Sequence, residues 1–343
     1  MNQFLVRNCT FAYASNMVGM VKCITRPVSL VWMVLFLSAW SISTIGFFSV
    51  WISSDLNLPG PISISNPEIA LNKPTGGAEP FQSVMTNTPG CTTLEAYEIT
   101  FTLVMQLSEE RLWMMKHHCE RWGEHPISIA IHTKRKLLDV VNDMVGMGCS
   151  QKHIIINVMY EYGDYPINHL RNLAISSIQT THCLYVDVDF WPSKDLYTTL
   201  SMQIVRDTLV EDDKLALVIP AFQITRKGPG CENSNSSECD ALNAARMAKD
   251  RLSLYKLIRS RDAHMFDPTN PRGHHSTGYR EWITQQQLRD IDCIESNRYE
   301  PYLAFRFCGD IPPFQERFAG YGKNKLTWAM HMRRVGYRFK VRI

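Results

Sequence analysis

The sequence predicts an α/β domain built on a mostly parallel sheet. Three observations carry that reading. Strand-like and helix-like segments alternate from Glu98 onward, the helical stretches have crossover length, and one apolar strand ends in paired carboxylates, where such sheets bind ligands. With 343 residues the chain can bury one large domain plus accessory segments.

Taken from the N-terminus, residues 1–27 read as a cytosolic tail. Residues 28–52, VSLVWMVLFLSAWSISTIGFFSVWI, carry no charge and exceed the roughly 20 apolar residues that cross a bilayer. A cleavable signal peptide has an apolar core of only about 7–15 residues and a small-residue cleavage site; this stretch is therefore expected to be a single transmembrane signal-anchor. Arg7, Lys22 and Arg26 precede it and Asp55 follows, which places the N-terminus in the cytosol and the bulk of the chain in the lumen, a type II arrangement. Residues 53–94, with Pro59, Gly60, Pro61, Pro67, Pro74, Gly76, Gly77 and Pro80, lack the composition of a core and read as a stem. Residues 95–343 form the predicted domain.

Within it, EITFTLVMQ (98–106) is β-rich. SEERLWMMKHHCERW sets Leu112, Met115, Cys119 and Trp122 on one helical face behind Ser108 as N-cap. PISIAIHT is a strand, KLLDVVNDMV a helix with Leu137, Val141 and Met144 at helical spacing, and HIIINVMY a strand. NHLRNLAISSI groups Leu170, Leu173 and Ala174 on a helix before the strand CLYV. No internal repeat is visible. Eight of the ten cysteines follow the span, compatible with disulfides in an oxidising lumen. Cys231 and Cys239 bracket a polar loop and are the expected local pair; for the other six, disulfides and buried free thiols stay open. Asn235-Ser236-Ser237 in that loop is a glycosylation sequon.

The CLYV strand runs into Asp187-Val188-Asp189 and stops at Trp191-Pro192. Two carboxylates at a strand end suit a hard divalent cation, which takes oxygen ligands and leaves positions for substrate phosphates. A bare triplet is weak evidence: Asp290-Ile291-Asp292 matches equally but sits in polar QQQLRDIDCIES and reads as a solvated helix face. A formal charge of +3 without long basic runs argues against a nucleic-acid surface.

The blocks QLSEERL, YPINHLRNLA, YVDVDFWPS, ALVIPAFQ, HHSTGYREWI, YEPYLAF and ERFAGYGKNKL, in this order, resemble glycosyltransferase family 49 from about residue 98 to 339. The resemblance implies a GT-A, Rossmann-like fold in a Golgi membrane protein. It also implies inverting, Mn2+-dependent transfer of glucuronic acid from UDP-glucuronic acid to a glycan acceptor on a glycoprotein, of the O-mannosyl type. Asp187 and Asp189 match the family's metal and nucleotide motif. Arg171 and Asn172 fall in its Leu-Arg-Asn block, where a guanidinium can fork onto a phosphate or a sugar carboxylate. Gly320, Gly322, Lys323 and Asn324 resemble its acceptor-side block, with Lys323 or Lys325 meeting an acidic sugar; a plain helix-start turn is the alternative. Two positions depart from the pattern: Gln223 stands where Glu is usual and Gln315 where Asp is usual. Glu316 and Asp310 are left as candidates for the base that an inverting displacement needs. The family's metal-binding histidine lies in a segment past a strand like GYRFKV, so the domain is expected to be truncated at its C-terminus; His331 reads as a helix histidine and His274-His275 as a loop. A relative that keeps the fold and UDP binding without turnover is the competing expectation.

Overall fold

A computed structural model describes residues 5–9, 23–27, 89–160, 165–232, 237–268, 270–285, 287–309, 311–318 and 322–341. The predicted membrane span, most of the predicted stem, Asn235, Asp310 and Gly320 lie outside these residues. Among the described residues no helix is long and apolar enough to cross a membrane.

Near the N-terminus, β1 (Leu5–Cys9) and β2 (Cys23–Pro27) pair as an antiparallel ribbon. The domain then follows the predicted alternation: β3 (Phe101–Ser108), α1 (Met115–Trp122), β4 (Ile127–Thr133), α2 (Leu137–Gly146), β5 (Ile154–Tyr160), α3 (Ile167–Ser176) and β6 (His182–Tyr185). It continues through α4 (Leu196–Leu200), α5 (Gln203–Val210), β7 (Leu215–Ile219), β8 (Phe222–Ile224), α6 (Ser237–Arg246), α7 (Arg251–Arg259) and β9 (Ala263–Met265). The last elements are α8 (Tyr279–Thr284), β10 (Arg289–Asp290), β11 (Tyr302–Arg306), α9 (Asn324–Arg334) and β12 (Arg338–Val341).

The main sheet has eight strands in the order β10-β12-β7-β11-β6-β3-β4-β5. Strands β6, β3, β4 and β5 are mutually parallel, and β12 is parallel to β7. β11 runs antiparallel between β6 and β7, and β10 antiparallel on the edge. The sheet is therefore mixed, with the predicted parallel half intact. From β3 the chain steps outward to β4 and β5, then returns to lay β6 on the other side of β3. That reversal opens a crevice at the carboxyl ends of β3 and β6, where ligands bind in open α/β sheets.

Alternation along β3 splits the core into two layers. Phe101, Leu103, Met105 and Leu107 pack with Met115, Trp122, Val140 and Met144, whereas Val104 packs with Leu170, Ala174, Tyr185 and Trp328. Each large apolar side chain fully buried in this way contributes roughly 1.5–3 kcal/mol. The predicted face of α1 is correct, with Leu112, Met115, Cys119 and Trp122 all buried, although Ser108 starts a 3-10 turn and its hydroxyl caps no backbone N–H. In α2 the buried face centres on Val140 and Met144, while Leu137 and Val141 are only partly buried. The helix is rotated relative to the expectation because its contact is with β5, and Val140 is the side chain that reaches the shared core. The segment read as a solvated helix face is instead an edge strand: Asp290 pairs with Lys340 and Ile291 is buried. A single apolar residue between two acids suffices for a strand edge, where one side faces the core.

Cys231 and Cys239 are bonded as expected. Cys119–Cys149 ties α1 to the segment after α2, and Cys91–Cys308 ties the end of the predicted stem to the residues after β11. Cys183 is an unbonded thiol, buried in β6, and burial pushes its ionisation up.

His182, at the start of β6, is fully buried, and its Nε2 has no hydrogen-bond partner. Burial, helped by the nearby Arg306 charge, brings its pKa down from 6.5 to about 3. The unfolded chain then binds the proton more readily, so the stability tied to neutral His182 is complete above pH 6.5 and is lost as pH falls toward 3. His118 and His274, brought down to about 4 chiefly by burial, act in the same direction. Thermal midpoints are expected to fall across this window, and less steeply in His182→Gln. Parallel midpoint-against-pH curves for the two proteins would contradict this account.

Candidate functional site

A cleft of about 2160 Å³ opens at the crevice between β3 and β6. Asp187 and Asp189, just past β6, line it together with Arg171 from α3, Tyr302 from β11 and Lys325 from α9. Antiparallel pairing of Leu303 with Tyr185 sets Tyr302 beside the residues that follow β6. The inserted strand thus brings a residue distant in sequence to the carboxylate pair.

Asp187 is held by four donors. Its Oδ1 accepts from Arg171 at 3.2 Å and from the Tyr185 hydroxyl at 2.8 Å; its Oδ2 accepts from Tyr302 at 3.0 Å and from the Lys325 ammonium at 2.6 Å. Burial alone would push this carboxyl up, but the Lys325 and Arg171 charges outweigh it and hold the group well below the usual carboxylate range. Asp187 is a fixed anion. Asp189 differs: its side chain is 49% exposed and Arg111 approaches only to 3.9 Å. Desolvation by the surrounding protein and then the Asp187 charge raise its pKa.

The peptide between the two acids is pinned from below by a buried histidine. Nε2 of His118 lies 2.7 Å from the Val188 carbonyl. A carbonyl only accepts, so the proton sits on Nε2 and the buried Nδ1 is left without a partner.

The donor set decides whether a divalent ion suits this place. Among the described residues no group of three His, Cys, Asp or Glu comes together as a metal cage. Asp187 has both oxygens engaged, while Asp189 meets no side-chain cation within hydrogen-bond distance. Such a set fits an ion held mainly by Asp189 and shared with substrate phosphates, the usual way a small hard cation is bound; it does not form a closed protein site.

The structure brings Arg171, Asp187, Asp189 and Lys323 into the cleft lining. Lys323 is exposed at the start of α9 with φ 59°, and its carbonyl accepts from Thr327. Within the glycine-rich block the described residues, Gly322 to Asn324, are thus a helix-start turn that also faces the cleft. Asn172 and Glu316 are not brought there. Asn172 Nδ2 donates to Glu316 Oε1 at 2.6 Å and to the Phe314 carbonyl at 2.9 Å, and Glu316 Oε2 meets His169 at 2.9 Å. The Glu316 side chain is only 4% exposed. Both residues clamp the loop before α9 onto α3. Gln223 lines the cleft and accepts the backbone N–H of Asp267 at 2.9 Å, while its Nε2 lies 3.1 Å from His264. Sequence reasoning missed Tyr302, Glu300, Asp267 and His274 as cleft residues. YEPYLAF and HHSTGYREWI contain three of them, but nothing in their spacing reveals that β11 inserts beside β6.

The model of a family described as "Glycosyl-transferase for dystroglycan" matches residues 150–342. The chain is 30% identical over 245 residues to xylosyl- and glucuronyltransferase LARGE2 of Mus musculus, covering 70% of this chain and 32% of that protein. It is 28% identical over 246 residues to LARGE1 of Homo sapiens, covering 70% and 30%. It is 30% identical over 258 residues to the glycosyltransferase-like protein gnt14 of Dictyostelium discoideum, covering 72% and 36%. The chain spans about a third of the length of the curated relatives it matches. Among solved structures it is similar to S. aureus TarS 1-349, with TM-score 0.39 and 11% identity over 71% of this chain and 58% of that one. A mannosyltransferase from Pyrobaculum calidifontis gives TM-score 0.35 and 12% identity over 71% and 57%.

Proposed function

The chain belongs to glycosyltransferase family 49, and from that premise we propose that it is an inverting GT-A glycosyltransferase moving glucuronic acid from UDP-glucuronic acid to a glycan acceptor on a glycoprotein. In this reading residues 28–52 anchor it in the Golgi membrane, residues 53–94 are the stem and the domain is luminal. The observation that carries the reading is the carboxylate pair at the switch point of the sheet, with Asp187 kept ionised by Arg171 and Lys325 inside a cleft of nucleotide-sugar dimensions.

Asp189 would hold a divalent cation, Mn2+ in the family's manner, together with the donor's phosphates. The ion's contribution when bound is neutralisation of the departing diphosphate. The protein's own residues do the rest. Arg171, buried and fixed, orients Asp187, and His118 fixes the peptide that aims Asp189. Lys323, just before α9, and Lys325, in its first turn, supply positive charge where an anionic donor or acceptor enters, reinforced by the helix N-terminus.

Full-length protein in detergent, offered a panel of UDP-sugars with Mn2+, is expected to turn over UDP-glucuronic acid fastest, and EDTA is expected to stop it. Transfer from none of the panel would overturn the reading. UDP binding without consumption of any UDP-sugar would favour a non-catalytic relative, a reading supported by Gln223, whose amide is committed to Asp267 and His264 and offers no carboxylate.

A further inference from the structure

The reaction needs a base for the acceptor hydroxyl; Glu316 is not in the cleft lining, and Asp310 lies outside the described residues. Six carboxylates are: Glu109, Glu110, Asp187, Asp189, Asp267 and Glu300. Asp187 has both oxygens bonded. Asp189, beside it in the lining, is the carboxylate assigned above to the cation. Glu109 accepts from the Thr133 hydroxyl at 2.5 Å and lies 4.0 Å from Arg135. Glu110 is stabilised as the anion, first by the Ser108 hydroxyl. Asp267 follows β9 with φ 50°, held through its backbone by Gln223.

Glu300 stands apart. Its backbone N–H donates to the Gly273 carbonyl at 2.9 Å, and Pro301 stiffens the step into β11. It lies in the cleft lining two residues before Tyr302, the first residue of β11, whose hydroxyl marks the Asp187 side of the cleft. Its side chain is one-third exposed, at 33%, and the Lys325 ammonium lies 3.9 Å away, too far for a hydrogen bond. Lys325 therefore separates the two carboxylates, bonded to Asp187 and merely close to Glu300.

Resting on the transferase reading above, we infer that Glu300 is the general base of the reaction. The acceptor oxygen forms its bond to the anomeric carbon, the bond from that carbon to the diphosphate breaks with its electron pair leaving on UDP, and the hydroxyl proton passes to the Glu300 carboxylate and then to solvent. The charges facing Glu300 suit the task. Burial raises its pKa, Lys325 and Arg171 lower it, and Asp187 and Asp267 raise it, with the balance upward, toward the pH at which a base works best.

The test compares full-length wild type, Glu300→Gln and Asp267→Asn. Glu300→Gln is expected to lower kcat about 100-fold, to leave KM for the UDP-sugar and calorimetric UDP affinity unchanged, and to abolish the acid limb of the pH profile. Asp267→Asn, which removes a carboxylate that faces Glu300, is expected to lower kcat far less than Glu300→Gln does and to shift the acid limb to lower pH rather than abolish it. Wild-type kcat in Glu300→Gln, UDP affinity falling in step with kcat, or a larger loss in Asp267→Asn would each overturn the assignment while leaving the transferase reading standing. A wild type that transfers from no UDP-sugar overturns both.

Discussion

Replacing Asp189 with asparagine is expected to lower sugar transfer about 100–1000-fold, the usual loss when a group that stabilises transition-state charge is removed, while the thermal midpoint holds or rises. The two effects diverge because the folded protein gains little from this charge. Desolvation and the neighbouring Asp187 disfavour the ionised form, and an exposed pair with Arg111 at 3.9 Å returns almost nothing. An asparagine of the same shape relieves the repulsion but removes the carboxylate available to a divalent ion and the donor's phosphates. Initial rates at saturating donor, UDP affinity with and without Mn2+, and a thermal scan check this. An unchanged rate would remove Asp189 from the chemistry.

Arg171→Met is expected to act in the opposite register, costing about 3–5 kcal/mol of stability and roughly 10 °C in midpoint for a domain of this size. Arg171 is 3% exposed. Besides Asp187 it donates to the side-chain Oδ1 of Asn168 at 3.0 Å, and its guanidinium lies over the rings of Phe314 at 5.1 Å and Tyr185 at 5.6 Å. Methionine keeps most of the apolar contact but leaves Asp187 short of a counter-ion. Lys325, Tyr185 and Tyr302 still serve that carboxylate, so the loss belongs at the low end. Combining Arg171→Met with Asp187→Asn should cost clearly less than the two single losses added, since the pair is directly bonded. Strict additivity in a double-mutant cycle would show that the contact carries no coupling.

The half of the domain from β3 to β6 was legible in the sequence because apolar runs and helical stripes there follow one another in spatial order. The same holds for Asp187 and Asp189, whose preceding strand identifies them without knowledge of what lies opposite. Beyond β7, spatial order and chain order part. Tyr302, Glu300 and Lys325 reach the carboxylate pair only through β11 and α9, and no local period encodes which strand accepts β11 as neighbour. Glu316 was a candidate for a related reason: it is an acid left nearby where Gln315 stands in place of the usual Asp, and only the side-chain amide of Asn172 and the ring of His169 show that it fastens a loop. Cys119–Cys149 was equally out of reach, since it depends on how α1 packs beside the end of α2.

The position of β11 also governs how this domain can be made. On the ribosome, β6 and β7 are synthesised before the strand that joins them, and β8, β9 and β10 emerge in between. For roughly ten seconds, at the usual ~5–20 residues per second of translation, the nascent chain carries β6 with one unsatisfied hydrogen-bonding edge and β7 with neither of its neighbours. Such edges attract other chains, so until Tyr302–Arg306 joins β6 to β7 the half-made sheet is exposed to aggregation.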